Sequence, residues 1–365
     1  MKKLKLLFTS ALLLIVSACS TSLEKYSMTA TDTGFDTIVS FVAYTKNEAQ
    51  FEEYSSFLKK EFKRYDVLFD KYDTHKGINN IKTINDNAGI KPVKVDKEII
   101  ELLEQCQTYN TLSNHQFDIT MGSVLELWHE TREAANNNPN PTIPSASSLE
   151  EAKKHTGWQH VTINKEDSTV YIDDKAVSLD VGASAKGFAV EKIAQKLEDK
   201  GLEHAIINAG GNVRMIGSKP EEETWQVGIQ IPNLESFSTD SLLSIKIDDS
   251  MSIVTSGDYQ RYYMYNDQLM HHIIDPITLM PARYARAVTV ITKDSGIADM
   301  LSTTLFTMSY QDGITLLNTL KEQGIQADAL WVYDKTQPKD ENVEAMSIMG
   351  YDVVVSDGLK DRIVK

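Results

Sequence analysis

The 365-residue sequence predicts a mixed α/β fold built as one interwoven domain, and three observations support this prediction. Short β-branched runs alternate with amphipathic helical segments along most of the chain. No internal repeat or heptad pattern interrupts that alternation. A loop rich in Asn and Pro over residues 136–145 marks a boundary between two lobes, but not between independent domains.

The first lobe is predicted to be mostly helical. A strand is expected over residues 35–44, which are apolar and β-branched. Apolar residues then recur at helical spacing over residues 46–70, 95–113 and 119–135. Asp96 stands where an N-cap is expected for the second of these helices.

The second lobe is predicted to carry most of the sheet. Helices are expected where apolar residues keep helical spacing, over residues 148–155, 184–200, 298–308 and 313–323. Short β-branched runs between turn residues predict the strands: 161–163, 170–172, 177–179, 205–208, 213–216, 225–231, 242–247, 252–255, 286–291, 329–332 and 353–355.

The N-terminus has the pattern of a bacterial lipoprotein signal. A basic leader precedes an apolar stretch, residues 6–16, that is too short to span a bilayer comfortably. The small-residue box Val16-Ser-Ala-Cys19 follows, so residues 1–18 are predicted to be a signal peptide and Cys19 the lipidated first residue of the mature chain. Residues 20–30 are polar and are interpreted as a tether. The expected location is extracytoplasmic, with a lipid anchor as the only membrane attachment.

Charge and cysteine content argue against a nucleic-acid partner and against stabilisation by a disulfide. The formal net charge of −15 argues against nucleic acid as a partner. The chain has two cysteines, Cys19 and Cys106, so lipidation of the first would leave no intramolecular disulfide. Cys106 lies on an apolar helical stripe and is expected to be a buried core thiol.

Residues 179–187, Leu-Asp-Val-Gly-Ala-Ser-Ala-Lys-Gly, are interpreted as a strand end, a turn of small residues and a helix start. The small side chains permit close backbone approach, and a helix N-terminus attracts phosphate. Lys186 adds a positive charge there, and Asp180 adds a carboxylate. The alternative interpretation is a packing turn without a ligand.

Further polar clusters follow along the second lobe. Asn208-Ala-Gly-Gly-Asn212 and Thr255-Ser-Gly-Asp-Tyr259 each stand at the end of a predicted strand. In the extended segment around His271 and His272, neighbouring side chains point to opposite sides, so at most one imidazole is expected to enter a given site. Nothing at zinc-ligand spacing accompanies these histidines.

Asp299 and Thr303 are predicted to share one face of a helix, because they are four residues apart. A carboxylate and a hydroxyl are hard oxygen ligands that suit Mg2+, which takes few protein ligands and keeps substrate phosphate oxygens. The alternative is that Asp299 starts the helix and Thr303 is buried in the core.

Taken together, the motifs resemble the ApbE-like FAD:protein FMN transferases, once described as thiamine-biosynthesis lipoproteins. The resemblance covers residues 34–365, the predicted flavin transferase domain. It rests on motifs in the family's order and spacing: Phe117-Asp-Ile-Thr, Leu127-Trp, Asp180-Val-Gly-Ala-Ser-Ala-Lys-Gly, Asn208-Ala-Gly-Gly-Asn, Trp225-x-Val-Gly-Ile-x-Ile-Pro, Thr255-Ser-Gly-Asp-Tyr, His272-Ile-Ile-Asp-Pro and Asp299-x-x-Ser-Thr.

The resemblance implies an enzyme that needs Mg2+ and cleaves FAD at its diphosphate. It would transfer FMN to a threonine hydroxyl of a target flavoprotein and release AMP. A surface redox lipoprotein, or a subunit of a membrane electron-transfer complex, is the expected acceptor for an anchored enzyme.

The family pattern also implies roles for individual residues. Mg2+ would be held by the Ala183 carbonyl, Asp299 and Thr303. His272 would be the general base, with Asp180 and Asp275 left open as alternatives. Contacts with the flavin nucleotide are expected from the residues at matching positions, namely Phe35, Tyr72, Gln116, Phe117, Asp118, Asp180, Lys186, Thr255 and Ile274.

Two positions depart from the family pattern. Phe35-Asp-Thr stands where many relatives have Met-Gly-Thr, so the methionine contact with flavin does not carry over literally. The segment Asp275-Pro-Ile-Thr-Leu279 lacks the glycine that many relatives have at its end. Neither change removes a phosphate-binding or metal-binding group.

Two other functions are compatible with the same motifs. An FAD diphosphatase would use water in place of the threonine and give FMN and AMP. A lipoprotein that only binds flavin is the second alternative. Asp299, Thr303 and Lys186 count against it, because binding alone needs no metal at the diphosphate.

Overall fold

The computed structural model describes residues 22–136, 138–221, 223–234, 240–337 and 343–364. The helices of this part are α1 (Glu48–Phe69), α2 (Ile81–Asp86), α3 (Lys97–Leu112), α4 (Gly122–Ala135), α5 (Ala146–Lys153), α6 (Ala185–Asp199), α7 (Ser295–Phe306) and α8 (Tyr310–Glu322). Its strands are β1 (Glu24–Ala30), β2 (Val39–Thr45), β3 (Val93–Lys94), β4 (Val161–Asn164), β5 (Thr169–Ile172), β6 (Ala205–Ala209), β7 (Asn212–Ile216), β8 (Trp225–Gln230), β9 (Ser241–Ile247), β10 (Ser252–Gly257), β11 (Tyr262–Tyr265), β12 (Gln268–His271), β13 (Ala287–Thr292), β14 (Ala327–Tyr333), β15 (Met346–Ile348), β16 (Tyr351–Val355) and β17 (Ile363–Val364).

A nine-stranded antiparallel sheet forms the centre of the fold, in the order β1-β2-β6-β7-β10-β13-β14-β16-β15. Helices α1, α6, α7 and α8 contribute to the apolar core on one face of this sheet. The small sheet β17-β9-β8 contributes to a second core on the other face. The mixed α/β prediction is therefore confirmed.

Strand alternation divides the buried residues of the central sheet between two cores. Val254 faces the helices and packs in the first core, whereas its neighbour Ile253 packs in the second. A third apolar cluster joins α4 to the hairpin β11–β12 and includes Trp128, Tyr263 and Met270. This third cluster links the helical lobe to the segment that carries the two histidines.

The larger predicted elements agree with the structure, and Asp96 caps α3 by accepting a hydrogen bond from the Glu98 N–H. Several short elements were not predicted: β1, α2, β3, β11, β12, β15 and β17. Most of these have too few residues for a periodic pattern to stand out. The predicted strand over residues 177–179 is reduced to a single bridge between Ser178 and Met121.

The predicted tether is wrong in its second half. Residues 24–30 form β1, an edge strand that pairs with β2 along its full length. Its polar residues were interpreted as a linker, but an edge strand buries little and tolerates such residues. The predicted signal peptide and Cys19 lie outside the described residues. Within the described part of the chain, no helix has the length and apolar character needed to cross a membrane.

Helices α6 and α7 cross closely at Gly187. A Cβ at this position would overlap the Ser295 carbonyl oxygen and lie 2.5 Å from the Asp299 Cβ. A buried ion pair fixes the crossing from below, since Glu191 of α6 accepts hydrogen bonds from Arg214 of β7 and from the Ser295 N–H of α7. These contacts therefore fix the position of α7 along α6.

Replacement of Gly187 by Ala is expected to destabilise the protein by about 1–3 kcal/mol, because backbone and side-chain atoms of α7 would have to move. Gly296→Ala is the matched control. Its Cβ would meet Asp294 Oδ1 at 3.1 Å and Phe188 Cα at 3.4 Å, so a change within about 1 kcal/mol is expected. Urea unfolding of both variants is the measurement. Equal stabilities would contradict the close crossing.

Candidate functional site

The turn before α6 leaves the first N–H groups of that helix without a side-chain cap. Ser184 is the N-cap residue, but its side chain makes no capping hydrogen bond. Its hydroxyl instead donates to the Val181 carbonyl and accepts from the Cys106 thiol. Of the first three N–H groups of α6, only that of Lys186 has no acceptor among the described residues, so this N–H can bind phosphate at the positive end of the helix.

Asp299 lies directly against this turn. It is 7% exposed, and its Oδ2 accepts a hydrogen bond of 2.8 Å from the Gly187 N–H. In a regular helix, the Gly187 N–H would donate to the Ala183 carbonyl. Because it donates to Asp299 instead, the Ala183 carbonyl has no hydrogen-bond donor among the described residues.

Thr303 lies one turn further along α7 than Asp299. Its hydroxyl is 3.2 Å from the Ser256 hydroxyl of β10, which is also 2.8 Å from the Ser302 hydroxyl. The predicted position of Asp299 and Thr303 on one helix is confirmed, and the helix begins at Ser295, so Asp299 does not start it.

These residues fit the hard-oxygen chemistry of Mg2+. Burial raises the pKa of Asp299, and the charge of Lys186 and hydrogen bonds from Gly187 and Asn212 partly oppose this shift. Across the described residues, no group of three or more His, Cys, Asp or Glu side chains could hold a metal ion. A site here would instead combine one carboxylate with neutral oxygens, which suits a cation that keeps substrate and water ligands.

Lys186 projects beside the same turn. Its Nζ donates to the Gly210 carbonyl at 3.4 Å, and Gly210 belongs to the Asn-Ala-Gly-Gly-Asn turn noted in the sequence. Burial lowers the pKa of Lys186, the charge of Asp299 raises it, and that of Arg261 lowers it. The structure thus brings Lys186 close to Asp299, which belongs to a separate sequence motif.

Asp180 forms an ion pair that the sequence did not indicate. Its Oδ2 accepts from Lys71 Nζ at 2.8 Å, and its Oδ1 accepts from the Gly182 N–H at 2.9 Å. Burial lowers the pKa of Lys71, but the charge and hydrogen bond of Asp180 outweigh this effect and raise it overall. Both oxygens of Asp180 are engaged, which argues against Asp180 as a general base.

Tyr72 is well placed for contact with a planar ligand. Its side chain is 55% exposed, the Lys71 Nζ lies 4.7 Å from its ring centroid, and the His129 ring lies 5.6 Å away. An exposed aromatic ring can stack on another planar ring, and the contact of Tyr72 with the flavin nucleotide stays a prediction.

Phe35 was predicted to begin a strand, but it lies in a left-handed turn. Gly34, Phe35 and Asp36 have φ angles of 89°, 58° and 46°, and β2 begins only at Val39. The Phe35 N–H donates to Asp66 Oδ1 at 2.6 Å, which holds the turn against α1. Consecutive non-glycine residues in this region are strained, and such strain concentrates at functional sites.

Gln116 and Asp118 lie at the wall of two neighbouring cavities. Asp118 lines both a cavity of about 850 Å³ and a neighbouring one of about 230 Å³, and Gln116 lines the smaller. Burial raises the pKa of Asp118, although Thr120 donates to it from both its N–H and its hydroxyl. Phe117 is buried in the first core, so its ring is not available to a ligand.

The two histidines have different environments. His271 Nε2 donates to the Ala282 carbonyl at 2.7 Å, and its Nδ1 accepts from the Ile273 N–H. His272 Nδ1 is buried and has no hydrogen-bond partner in the described residues. Burial lowers the pKa of His271 to about 4 and that of His272 to about 3. Of the two, only His272 retains a ring nitrogen for a ligand, and its role as general base stays a prediction.

Asp275 holds a turn. It is 2% exposed, and its two carboxylate oxygens accept from the Ile277 N–H and from the Thr278 hydroxyl. These contacts argue against Asp275 as a general base. Ile274 is buried in the third apolar cluster, and its contact with the flavin nucleotide stays a prediction.

Thr255 faces away from the metal candidates. Its hydroxyl lies 2.9 Å from the Thr289 hydroxyl, on the opposite side of β10 from Ser256. Ser256, not Thr255, is the residue of β10 whose hydroxyl faces α7, and the flavin contact of Thr255 stays a prediction. Sequence could not distinguish the two neighbours, because the face that each presents to the helices depends on the register of β10.

Comparisons with known proteins support one family. A sequence model described as the ApbE family matches residues 35–327. An FAD:protein FMN transferase of Treponema pallidum (strain Nichols) is 30% identical over 267 residues, which cover 69% of this chain and 70% of that protein. Another, of Klebsiella pneumoniae (strain 342), is 27% identical over 271 residues, which cover 74% and 79%.

Solved structures agree with these relatives. An ApbE protein of Thermotoga maritima has a TM-score of 0.70 at 31% identity and covers 84% of this chain and 94% of its own. The flavin transferase ApbE of Vibrio cholerae has a TM-score of 0.72 at 21% identity over 93% of this chain and 99% of its own, which shows the fold alone.

His271→Gln is expected to remove a pH-dependent part of the stability. Because the folded pKa lies below the unfolded value of ~6.5, neutral His271 stabilises the protein fully above that pH, and this stabilisation is lost as the pH falls towards 4. The stability gap between wild type and variant should therefore be roughly 2 kcal/mol smaller at pH 5 than at pH 7.5. Urea unfolding measures it, and an unchanged gap would contradict the assignment.

Leu279 ends the turn that Asp275 holds, and its φ is 60°. It is also 2% exposed, so truncation loses burial. Leu279→Ala keeps the backbone strain, whereas Leu279→Gly relieves it. We expect the Gly variant to be about 1 kcal/mol more stable than the Ala variant, the reverse of the usual order in regular elements. Urea unfolding compares them, and the usual order would contradict the strain.

Proposed function

The chain belongs to the ApbE family, and from this membership we propose that it is a Mg2+-dependent FAD:protein FMN transferase. FAD is the substrate, a threonine of a flavoprotein accepts FMN, and AMP is released. The observation that carries the proposal is the hydrogen bond from the Gly187 N–H, next in sequence to Lys186, to the buried Asp299 carboxylate, which holds Asp299 against the first turn of α6. Thr303 lies one turn further along α7.

The residues of the turn and of α7 provide the metal and phosphate ligands in this proposal. Asp299, Thr303 and the Ala183 carbonyl would hold Mg2+, and the ion supplies charge neutralisation at the diphosphate. The Lys186 side chain and the Lys186 N–H, which has no acceptor among the described residues, bind phosphate oxygens. Phosphoryl transfer needs positioning and charge stabilisation more than covalent help from the enzyme, so this donor set suits the reaction.

The transfer step uses His272 as the base. The threonine hydroxyl attacks the phosphorus of the FMN half, and the bond from that phosphorus to the bridging oxygen breaks. AMP leaves with the electron pair of that bond, and the threonine proton passes to His272. We favour His272 over the two carboxylates, because Asp180 and Asp275 have both oxygens engaged whereas His272 Nδ1 has no partner among the described residues.

The location is part of the proposal. Cys19 would carry the lipid anchor on the outer side of the cell membrane, and the acceptor would be a surface redox lipoprotein or a subunit of a membrane electron-transfer complex. Support comes from the lipoprotein signal pattern that ends at Cys19. Globomycin treatment of expressing cells tests the anchor, since unprocessed precursor should accumulate; normal processing would contradict it.

The transfer itself is tested with the full chain in detergent, FAD, Mg2+ and an acceptor domain that carries a threonine flavinylation motif. Intact mass of the acceptor and release of AMP are followed together. We expect a gain of one FMN moiety per acceptor and an equal amount of AMP, and both should be lost with EDTA. AMP and free FMN without a modified acceptor would indicate a diphosphatase, and FAD binding without AMP would indicate a binding protein.

Thr303→Val is expected to reduce Mg2+-dependent transfer at least tenfold, because one of the three oxygen ligands is lost. Thr304→Val is the matched control on the same helix. The Thr304 hydroxyl is buried and donates to the Met300 carbonyl, away from the site, so the control should keep its activity. Equal activities of the two variants would remove Thr303 from the metal site.

A further inference from the structure

Arg261 is an exposed cation at the edge of the site. It lies just before β11, and its guanidinium makes no hydrogen bond or ion pair with any residue that the structure describes. By contrast, Arg286, which directly precedes β13, bonds both Asp258 and Asp334. The sequence motifs assigned no role to Arg261.

The register of the hairpin places Arg261 beside His272. Tyr262 of β11 pairs with His271 of β12. Arg261, which precedes Tyr262, and His272, which follows His271, therefore stand across from each other at the open end of the hairpin. The charge of Arg261 also lowers the pKa of both His272 and Lys186, which places the guanidinium within electrostatic reach of the two.

Positive features therefore converge at one place. Lys186 has a 3.4 Å hydrogen bond from its Nζ to a carbonyl, and its N–H has no acceptor among the described residues. The guanidinium of Arg261 has no partner there either. The positive charges of Lys186 and Arg261 repel each other at short range, and an anion bound between the two side chains would relieve that repulsion. His272 Nδ1, a buried nitrogen that no described residue bonds, provides a second and independent sign of a missing ligand.

We propose that Arg261 binds the diphosphate of FAD together with Lys186, and is thus a further substrate-binding residue. A guanidinium presents paired N–H donors that match phosphate oxygens, whereas an ammonium acts as a point charge. The two residues act from different sides, since Lys186 lies in the first turn of α6 and Arg261 reaches the phosphates from the side of His272. This inference rests on the proposed function, because it takes FAD as the substrate.

The test compares the binding of FAD and riboflavin, which share the ring but differ in the diphosphate. Binding is measured by flavin fluorescence with the full chain and EDTA, and KM for FAD is measured with Mg2+. Arg261→Gln should weaken FAD binding about tenfold or more and riboflavin binding less than twofold. Arg261→Lys should fall between wild type and Arg261→Gln, because it keeps the charge but loses the paired donors.

Lys246→Gln is the control for net charge, since Lys246 is exposed on β9, in the small sheet beyond the central one. It should bind both flavins as wild type does. Equal weakening of FAD and riboflavin by Arg261→Gln, or unchanged FAD binding, would overturn the inference. If Arg261→Gln does not fold, as judged by circular dichroism, the inference is tested with Arg261→Lys instead. The measurement is again the loss of FAD binding compared with the loss of riboflavin binding. Failure of the wild type to bind FAD at all would instead overturn the proposed function.

Discussion

The close crossing of α6 and α7 at Gly187 is the constraint on which the rest of the site depends. No side chain fits between the helices there, and the absence of one lets the Asp299 carboxylate reach the Gly187 N–H. This one hydrogen bond has two effects. It holds a buried carboxylate at the start of α6, and it leaves the Ala183 carbonyl without its helical donor. Packing of two helices thus leaves two oxygen groups that the proposed Mg2+ site would use.

The charged side chains are paired on one side of this crossing and unpaired on the other, within the part of the chain that the structure describes. Below it, Glu191 and Arg214 neutralise each other, and both are nearly fully buried. Such a pair contributes little net stability over an apolar pair of the same shape, but loss of one partner would be costly. At the mouth, Lys186 and Arg261 form no ion pair with a carboxylate of the described residues, in a chain with a formal charge of −15. The buried pair has a structural role, and the open cations are suited to an anionic substrate.

In the segment that carries the two histidines, most polar groups hold the chain in place and one imidazole remains for chemistry. His271 and Asp275 use their polar atoms to hold the chain, and Leu279 accepts backbone strain in order to fill the third apolar cluster. His272 Nδ1 has no hydrogen-bond partner in the part of the chain that the structure describes, and burial together with nearby positive charge keeps the imidazole neutral. A neutral histidine can accept a proton, and the product imidazolium would be stabilised by the anionic substrate.

The sequence by itself determined the mixed α/β class, the long helices and the sharing of one helix by Asp299 and Thr303, because these depend on spacing along the chain. It did not reveal the Lys71–Asp180 ion pair or the place of Arg261, since residues far apart in sequence meet only after folding. Tertiary structure also decided that Ser256 and not Thr255 faces α7, and that residues 24–30 form a strand. A strand's alternation is visible in sequence, but which of its faces meets the helices depends on the register and neighbours that the folded sheet provides.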